Sequence, residues 1–167
     1  MSENESRPVV VGVDGSAAAR TALSWAVEDA KRRGCRVDAV SAWRPDTGMV
    51  IGTLPAELGM RMTPESAEAA QRAVLDEAVQ GFEGVEIRRV LVEGDPKTVL
   101  TDASRDAELL VVGSRGAGAL AEVVLGSVSS YCVHHAACPV VVLREPKPER
   151  EHELSRTAAP LTPGPLL

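Results

Sequence analysis

The run Leu109-Leu110-Val111-Val112 is continuously apolar and stops at Gly113-Ser114-Arg115-Gly116. A strand with one wet face alternates polar and apolar residues; one that does not alternate is covered on both faces, as parallel strands in α/β folds are. Glycines directly after such a strand permit a tight turn and bring bare N–H groups to its carboxyl end. Ten residues after Gly116 comes Gly126-Ser127, with Val128 and Ser129 beyond, opening another helical segment. A helix start offers unpaired N–H donors and partial positive charge. Together the two pieces predict a two-sided phosphate cradle with Arg115 as counter-charge and without a P-loop lysine. Taken singly, each piece also fits an ordinary role, because glycine commonly follows a strand and Ser or Gly commonly precedes a helix.

The same kind of run opens the chain. Val9-Val10-Val11-Gly12-Val13 reads as a central strand, broken by Asp14-Gly15-Ser16. A helix to about Arg33 follows, with Ala22, Leu23, Ala26, Val27 and Ala30 as its apolar stripe and Gly34 as its stop. Asp14 fits two roles: a cap or turn residue, or a carboxylate at a strand's carboxyl end that accepts hydrogen bonds from a ribose or an adenine amine. Residues 36–43 make a second strand ending at Ala42-Trp43. Residues 44–62, with three glycines and two prolines, form a long loop read as a flap. A second helix from Thr63 or Ser66 is expected to turn Ala70, Val74, Leu75, Ala78, Val79 and Phe82 inward. Residues 86–93, with Arg88 and Arg89 in their interior, suit an edge strand. Asp95-Pro96 starts a third helix, and Pro139–Leu143 forms the last strand.

Five strands alternating with helices imply a parallel sheet with right-handed crossovers. The order 3-2-1-4-5 buries strands 1 and 4 and exposes strand 3. It places Asp14 and Gly113 at the ends of the two strands where the order reverses, the point at which such sheets bind ligands. Strand 5 becomes an apolar edge, which predicts a homodimer through Val140, Val141, Val142 and Leu143.

Competing chemistries are weaker. Gly116-Ala-Gly118-Ala-Leu-Ala121 fits a dinucleotide fingerprint, but it comes late in the chain, begins past the strand, and no acid follows in residues 133–142. Cys35, Cys132 and Cys138 have no C-x-x-C spacing and read as reduced core residues. His134 and His135 are adjacent on a helix, so they point apart and do not form a metal pair. A formal charge of -6 without a basic patch argues against a nucleic-acid partner. Polar residues 1–7 and short apolar runs give no signal peptide or membrane span, so a cytoplasmic protein is expected. Only four aromatics, Trp25, Trp43, Phe82 and Tyr131, leave a core of Val, Leu and Ala. Five of eleven prolines fall between Pro146 and Pro165, so a domain over 8–144 is expected between a short N-terminus, 1–7, and a flexible tail, 145–167.

Gly113, Gly116, the nine residues Ala117 to Leu125, and Gly126-Ser127 spell Gly-x2-Gly-x9-Gly-Ser. In this pattern the chain resembles the ATP-binding branch of the universal stress proteins, from about Arg7 to Leu143; many relatives carry two such units in tandem. The resemblance implies a Rossmann-like fold of the adenine-nucleotide alpha-hydrolase-like type. It also implies that Val13 and Asp14 touch adenosine and Ala42 reads adenine. Val112, Gly113, Arg115, Gly116, Gly126, Ser127, Val128 and Ser129 would hold ribose and phosphates. The implied ligand is ATP, with or without Mg2+, with cyclic AMP or AMP as alternatives. The implied role is a nucleotide-dependent regulatory dimer acting on an unnamed protein partner, with at most weak ATP hydrolysis or autophosphorylation at Ser127 or Ser129.

Overall fold

The computed structural model describes residues 6–45, 63–115 and 125–145, and through them strand and helix alternate. The elements are β1 (Val9–Gly12), α1 (Ala17–Arg33), β2 (Val37–Trp43), α2 (Pro64–Ala78) and β3 (Ile87–Glu93). Then come α3 (Pro96–Ala103), a 3-10 turn (Ser104–Asp106), β4 (Leu109–Gly113), α4 (Ser127–His135) and β5 (Val140–Leu143). Every strand pair is parallel and the order is β3-β2-β1-β4-β5, as the strand signals predict.

Side chains alternate across a pleated sheet, so the non-alternating strands feed two cores. Val9, Val11, Val13, Val37, Ala39, Leu109 and Val111 point to the face covered by α1 and α2. Val10, Val40, Leu110 and Val112 point to the face covered by α3 and α4, where they meet Val99, Leu100 and Cys132. Small residues let α1 lie close: Ala22, Ala26, Val27 and Ala30 are fully buried. A Cβ built at Gly113 would stand only 2.8 Å from the carbonyl carbon of Ala18 and 2.9 Å from the Ala19 nitrogen. Gly113 is therefore required by helix–sheet packing, a role the cradle reading does not supply.

α1 ends at Gly34 with φ +67, where its N–H reaches the carbonyls of Ala30 and Lys31, the left-handed stop that glycine accommodates. The expected inward stripe of α2 needs one correction. Ala70 is exposed; the inward residues are Ala67, Gln71, Val74, Leu75, Ala78 and Val79, with Phe82 packed on the same core just past the helix. The helix starts at Pro64 with Thr63 as cap, and 67, 71, 74, 75 and 78 share one face at 3.6-residue spacing. The polar Gln71 holds a place where an apolar residue is the natural expectation.

At the sheet edges, Arg88 and Arg89 on β3 are exposed. On β5, Val140 and Val142 pack into one core and Val141 and Leu143 into the other. Its side chains are thus partly covered, and what the edge leaves open is its row of backbone groups. Among the described residues no helix is long and apolar enough to cross a membrane. Of the expected flap over 44–62, residues 46–62 lie outside the described residues, as do the fingerprint at 116–121 and residues 146–167 of the expected tail.

Candidate functional site

β1 is shorter than both of its neighbours at the carboxyl end. Its last partners are Val40 of β2 and Val111 of β4, whereas β2 continues to Trp43 and β4 to Gly113. Ala42 and Trp43 pair only with Val92 and Glu93 of β3. A notch opens past Gly12, and β1 and β4 leave it toward opposite sides of the sheet, which is the geometry of a switch-point site.

Two loops bound the notch. In the first, Val13 is buried; its N–H donates to the Val40 carbonyl at 2.8 Å and its carbonyl accepts from Ser41 Oγ at 2.7 Å. The Val13 N–H is thereby taken up within the sheet, while its carbonyl keeps a second lone pair. Asp14 is exposed, and its Oδ1 accepts the Ser16 N–H at 2.9 Å. Ser16 caps α1, its Oγ accepting from the Ala19 N–H at 3.1 Å. Asp14 therefore serves the turn, and its side chain is exposed just past the end of β1. Gly15 has φ +83, a conformation that side chains resist.

The second loop follows β4. Ser114 is buried and joins three elements: its N–H donates to the Leu143 carbonyl at 2.7 Å, and its carbonyl accepts from the Gly126 N–H at 2.7 Å and from Ser129 Oγ at 3.0 Å. The loops are tied directly, because Ser16 Oγ also donates to the Arg115 carbonyl at 3.4 Å. Gly113, Arg115, Gly126 and Asp14 thus come together at one end of the sheet, as expected. Gly116 lies outside the described residues.

The start of α4 differs from the others. α1, α2 and α3 are capped by the side chains of Ser16, Thr63 and Asp95. α4 begins at Gly126, with no side-chain cap among the described residues. The first N–H groups of any helix lack intrahelical partners; here they belong to Ser127, Val128 and Ser129. Gly126 and its neighbours are anchored from behind, since the Gly126 carbonyl receives the Ser130 N–H at 2.9 Å. This is a rigid set of donors with a helix dipole behind it.

Several expected ligand contacts take a different form. Ser129 is buried and its single hydroxyl hydrogen is kept within the fold, with the Ser114 and Gly126 carbonyls as its acceptors at 3.0 and 3.1 Å. Its hydroxyl braces the cradle and only its N–H remains on offer. Val112 and Val128 direct their side chains into the α3–α4 core, so their backbones are what a ligand can meet. Ser114 and Ser41, absent from the expected set, are buried polar residues at the notch alongside Ser129. A serine among apolar strand residues was the available signal for Ser41.

The remaining chemistry-bearing residues have structural surroundings. Arg44 pairs with Asp95 beside the start of α3. His134 and His135 each turn Nδ1 to the carbonyl four residues back, and His135 stacks on Tyr131 with ring centroids 3.9 Å apart. Burial pushes the Cys132 thiol up to about 11 and raises that of Cys138. No cluster of three metal-ligating side chains occurs among the described residues.

Residues 5–144 match the Universal stress protein family. The chain belongs to the universal stress protein family. One relative is the universal stress protein Rv2005c of Mycobacterium tuberculosis, 36% identical over 138 residues, which are 83% of this chain and 45% of that one. The chain spans about half the length of the curated relatives it matches. Among solved structures, a universal stress protein from Archaeoglobus fulgidus is similar at 28% identity and TM-score 0.61, covering 81% of this chain and 97% of its own. The same fold, at 24% identity and TM-score 0.61, is found in a universal stress protein in complex with cyclic AMP, over 86% of this chain and all of that one. Further universal stress proteins of this fold are described with AMP and with dAMP.

Proposed function

We propose that this universal stress protein domain binds an adenine nucleotide in the notch past β1, with the phosphates on the open start of α4. The first N–H groups of Ser127, Val128 and Ser129, which no described side chain caps, carry the reading beside the Gly113–Arg115 turn. Ala42 lies where β2 outruns β1, a place for the adenine edge, and exposed Asp14 is placed to accept from ribose hydroxyls. Val13 and Val112 form the floor; Gly113, Arg115 and Gly126 form the phosphate side. Family membership and the cyclic AMP, AMP and dAMP complexes of related folds support the ligand class.

ATP, with Mg2+ supplied by the solution, is the preferred ligand in this reading. A single cyclic phosphate needs fewer donors than three N–H groups and an arginine provide. The domain works as a cytoplasmic homodimer paired through the open β5 edge, and nucleotide occupancy changes the surface that protein partners meet. The role is binding, with hydrolysis weak at most.

A thermal-shift titration with ATP, AMP, cyclic AMP and NAD, with and without Mg2+, tests this. A ligand at 100 times its Kd adds about 2.7 kcal/mol, a rise of several degrees for a domain of this size. ATP should stabilise most and NAD not at all. A larger rise with cyclic AMP would reassign the ligand, and no rise with any of them would remove the nucleotide reading. Sedimentation at micromolar concentration tests the dimer, which a strict monomer would exclude.

A further inference from the structure

The β1–α1 turn is held from behind by α2. The Val13 carbonyl accepts from Ser41 Oγ at 2.7 Å, and Ser41 Oγ lies 2.7 Å from Gln71 Nε2. Ser41 has one hydroxyl hydrogen. With that hydrogen on Val13, Ser41 must accept from Gln71, so the amide presents its NH2 group here and the donor arithmetic sets its orientation. Ser41 is 2% exposed, so the relay works where water does not substitute for a lost partner.

A second contact from α2 lands on the same turn. Val74 sits three residues on from Gln71, and a Cβ built at Gly15 would stand 3.0 Å from its Cγ1. The helix therefore touches the turn on both sides of Asp14: at Val13 through Gln71 and Ser41, and at Gly15 through Val74. Asp14 hangs between these contacts, bonded to the Ser16 N–H at 2.9 Å.

Resting on the adenine-nucleotide reading above, we infer that Ser41 and Gln71 are positioning residues that set the Asp14 carboxylate and so the recognition of a ribose diol. Neither touches the ligand; they act through the carbonyl of Val13. Hydrogen bonds weaken steeply as their angle degrades, so a small rotation of the Val13–Asp14 peptide changes what the carboxylate can accept. Gln71→Glu keeps the shape of the side chain and removes the donor; the Ser41 hydrogen is then drawn to the new carboxylate and away from Val13. Ser41→Ala removes the relay directly.

The experiment compares wild type, Gln71→Glu and Ser41→Ala in two measurements. The first is amide hydrogen exchange of the ligand-free protein at Ser16, with Ala26 inside α1 as reference. The second is the ratio of affinities for ATP and 2′-deoxy-ATP by calorimetry. Both variants should speed exchange at Ser16 about tenfold relative to Ala26, as local opening of the turn does. The ratio should fall about threefold or more as the carboxylate loses alignment. A merely structural role would weaken both nucleotides equally and speed exchange along all of α1; that result, or a wild-type ratio in both variants, overturns the inference. A wild type that binds neither nucleotide removes the nucleotide reading and the ribose claim with it, whereas a wild type that binds both with an unmoved ratio removes only the positioning role.

Discussion

The helices that follow the two central strands, α1 after β1 and α4 after β4, start differently. α1 closes on itself: Asp14 takes the Ser16 N–H, Ser16 takes the Ala19 N–H, and Ala18 packs against Gly113. α4 opens with Gly126, and no described side chain takes up its first N–H groups. Ser114 and Ser129 fix α4 from behind without covering its donors. A self-capped helix start is a finished structural joint, while an uncapped one held rigidly in place is preorganised to receive an anion. On the proposed reading, the Ser16 cap of α1 serves stability, Asp14 beside it meets the ribose, and the start of α4 receives the phosphates.

The largest expected effect falls on the joint between the two loops. Gly113→Val places carbon against the Ala18 and Ala19 backbone, where no flexible side chain can yield. A loss at the upper end of the usual overpacking range, about 3 kcal/mol, is expected in urea denaturation. A value near zero would show that α1 can retreat and that the joint is soft. Charged substitutions at Gly113 are therefore tests of folding and cannot isolate ligand binding. Gly126→Asp is the separating variant. Its carboxylate would cap α4 and occupy the phosphate donors, and Gly126, with φ -72 and ψ 166, has the backbone of an ordinary cap residue. ATP affinity should fall ~10–100-fold, the worth of one or two charge-assisted hydrogen bonds. Thermal stability should hold or rise by a few tenths of a kcal/mol. Retained affinity in that variant would break the comparison. Ser16→Ala, the converse at α1, should cost about 1 kcal/mol of stability.

The smallest effect is a pH dependence seated in α4. Burial raises the Cys132 thiol to about 11, above the ordinary range of about 8.5. A group whose pKa is raised by folding contributes stability that is complete below its unfolded value and is lost as pH climbs through the folded one. Denaturation midpoints should therefore be level near pH 8 and decline from about 9 toward 11. Cys132→Ser should flatten this component of the decline.

Strand order was legible because non-alternating apolar runs admit few arrangements, and the charges of β3 mark an edge. The place of the candidate site in the fold was legible for the same reason: Asp14 and Gly113 follow the two strands where the order reverses. The division of labour within the site was not. Gly113 reads as a turn glycine, yet its constraint comes from the backbone of a helix some ninety residues earlier in the chain. Ser129 reads as a phosphate donor, yet its hydroxyl serves Ser114 and Gly126. Ala70 and Gln71 are neighbours at the border of an apolar stripe, and composition favours the alanine for the inside. The structure reverses them because Gln71 has a buried partner in Ser41 that no local pattern reveals.

The most direct test of the account follows individual amides of the protein by nitrogen–proton correlation spectra during an ATP titration. The account predicts saturable downfield shifts at Ser127, Val128 and Ser129, largest among all helix starts, with the α1 cap amide of Ala19 nearly still. Shifts centred on α1, or no response at the start of α4, would contradict it.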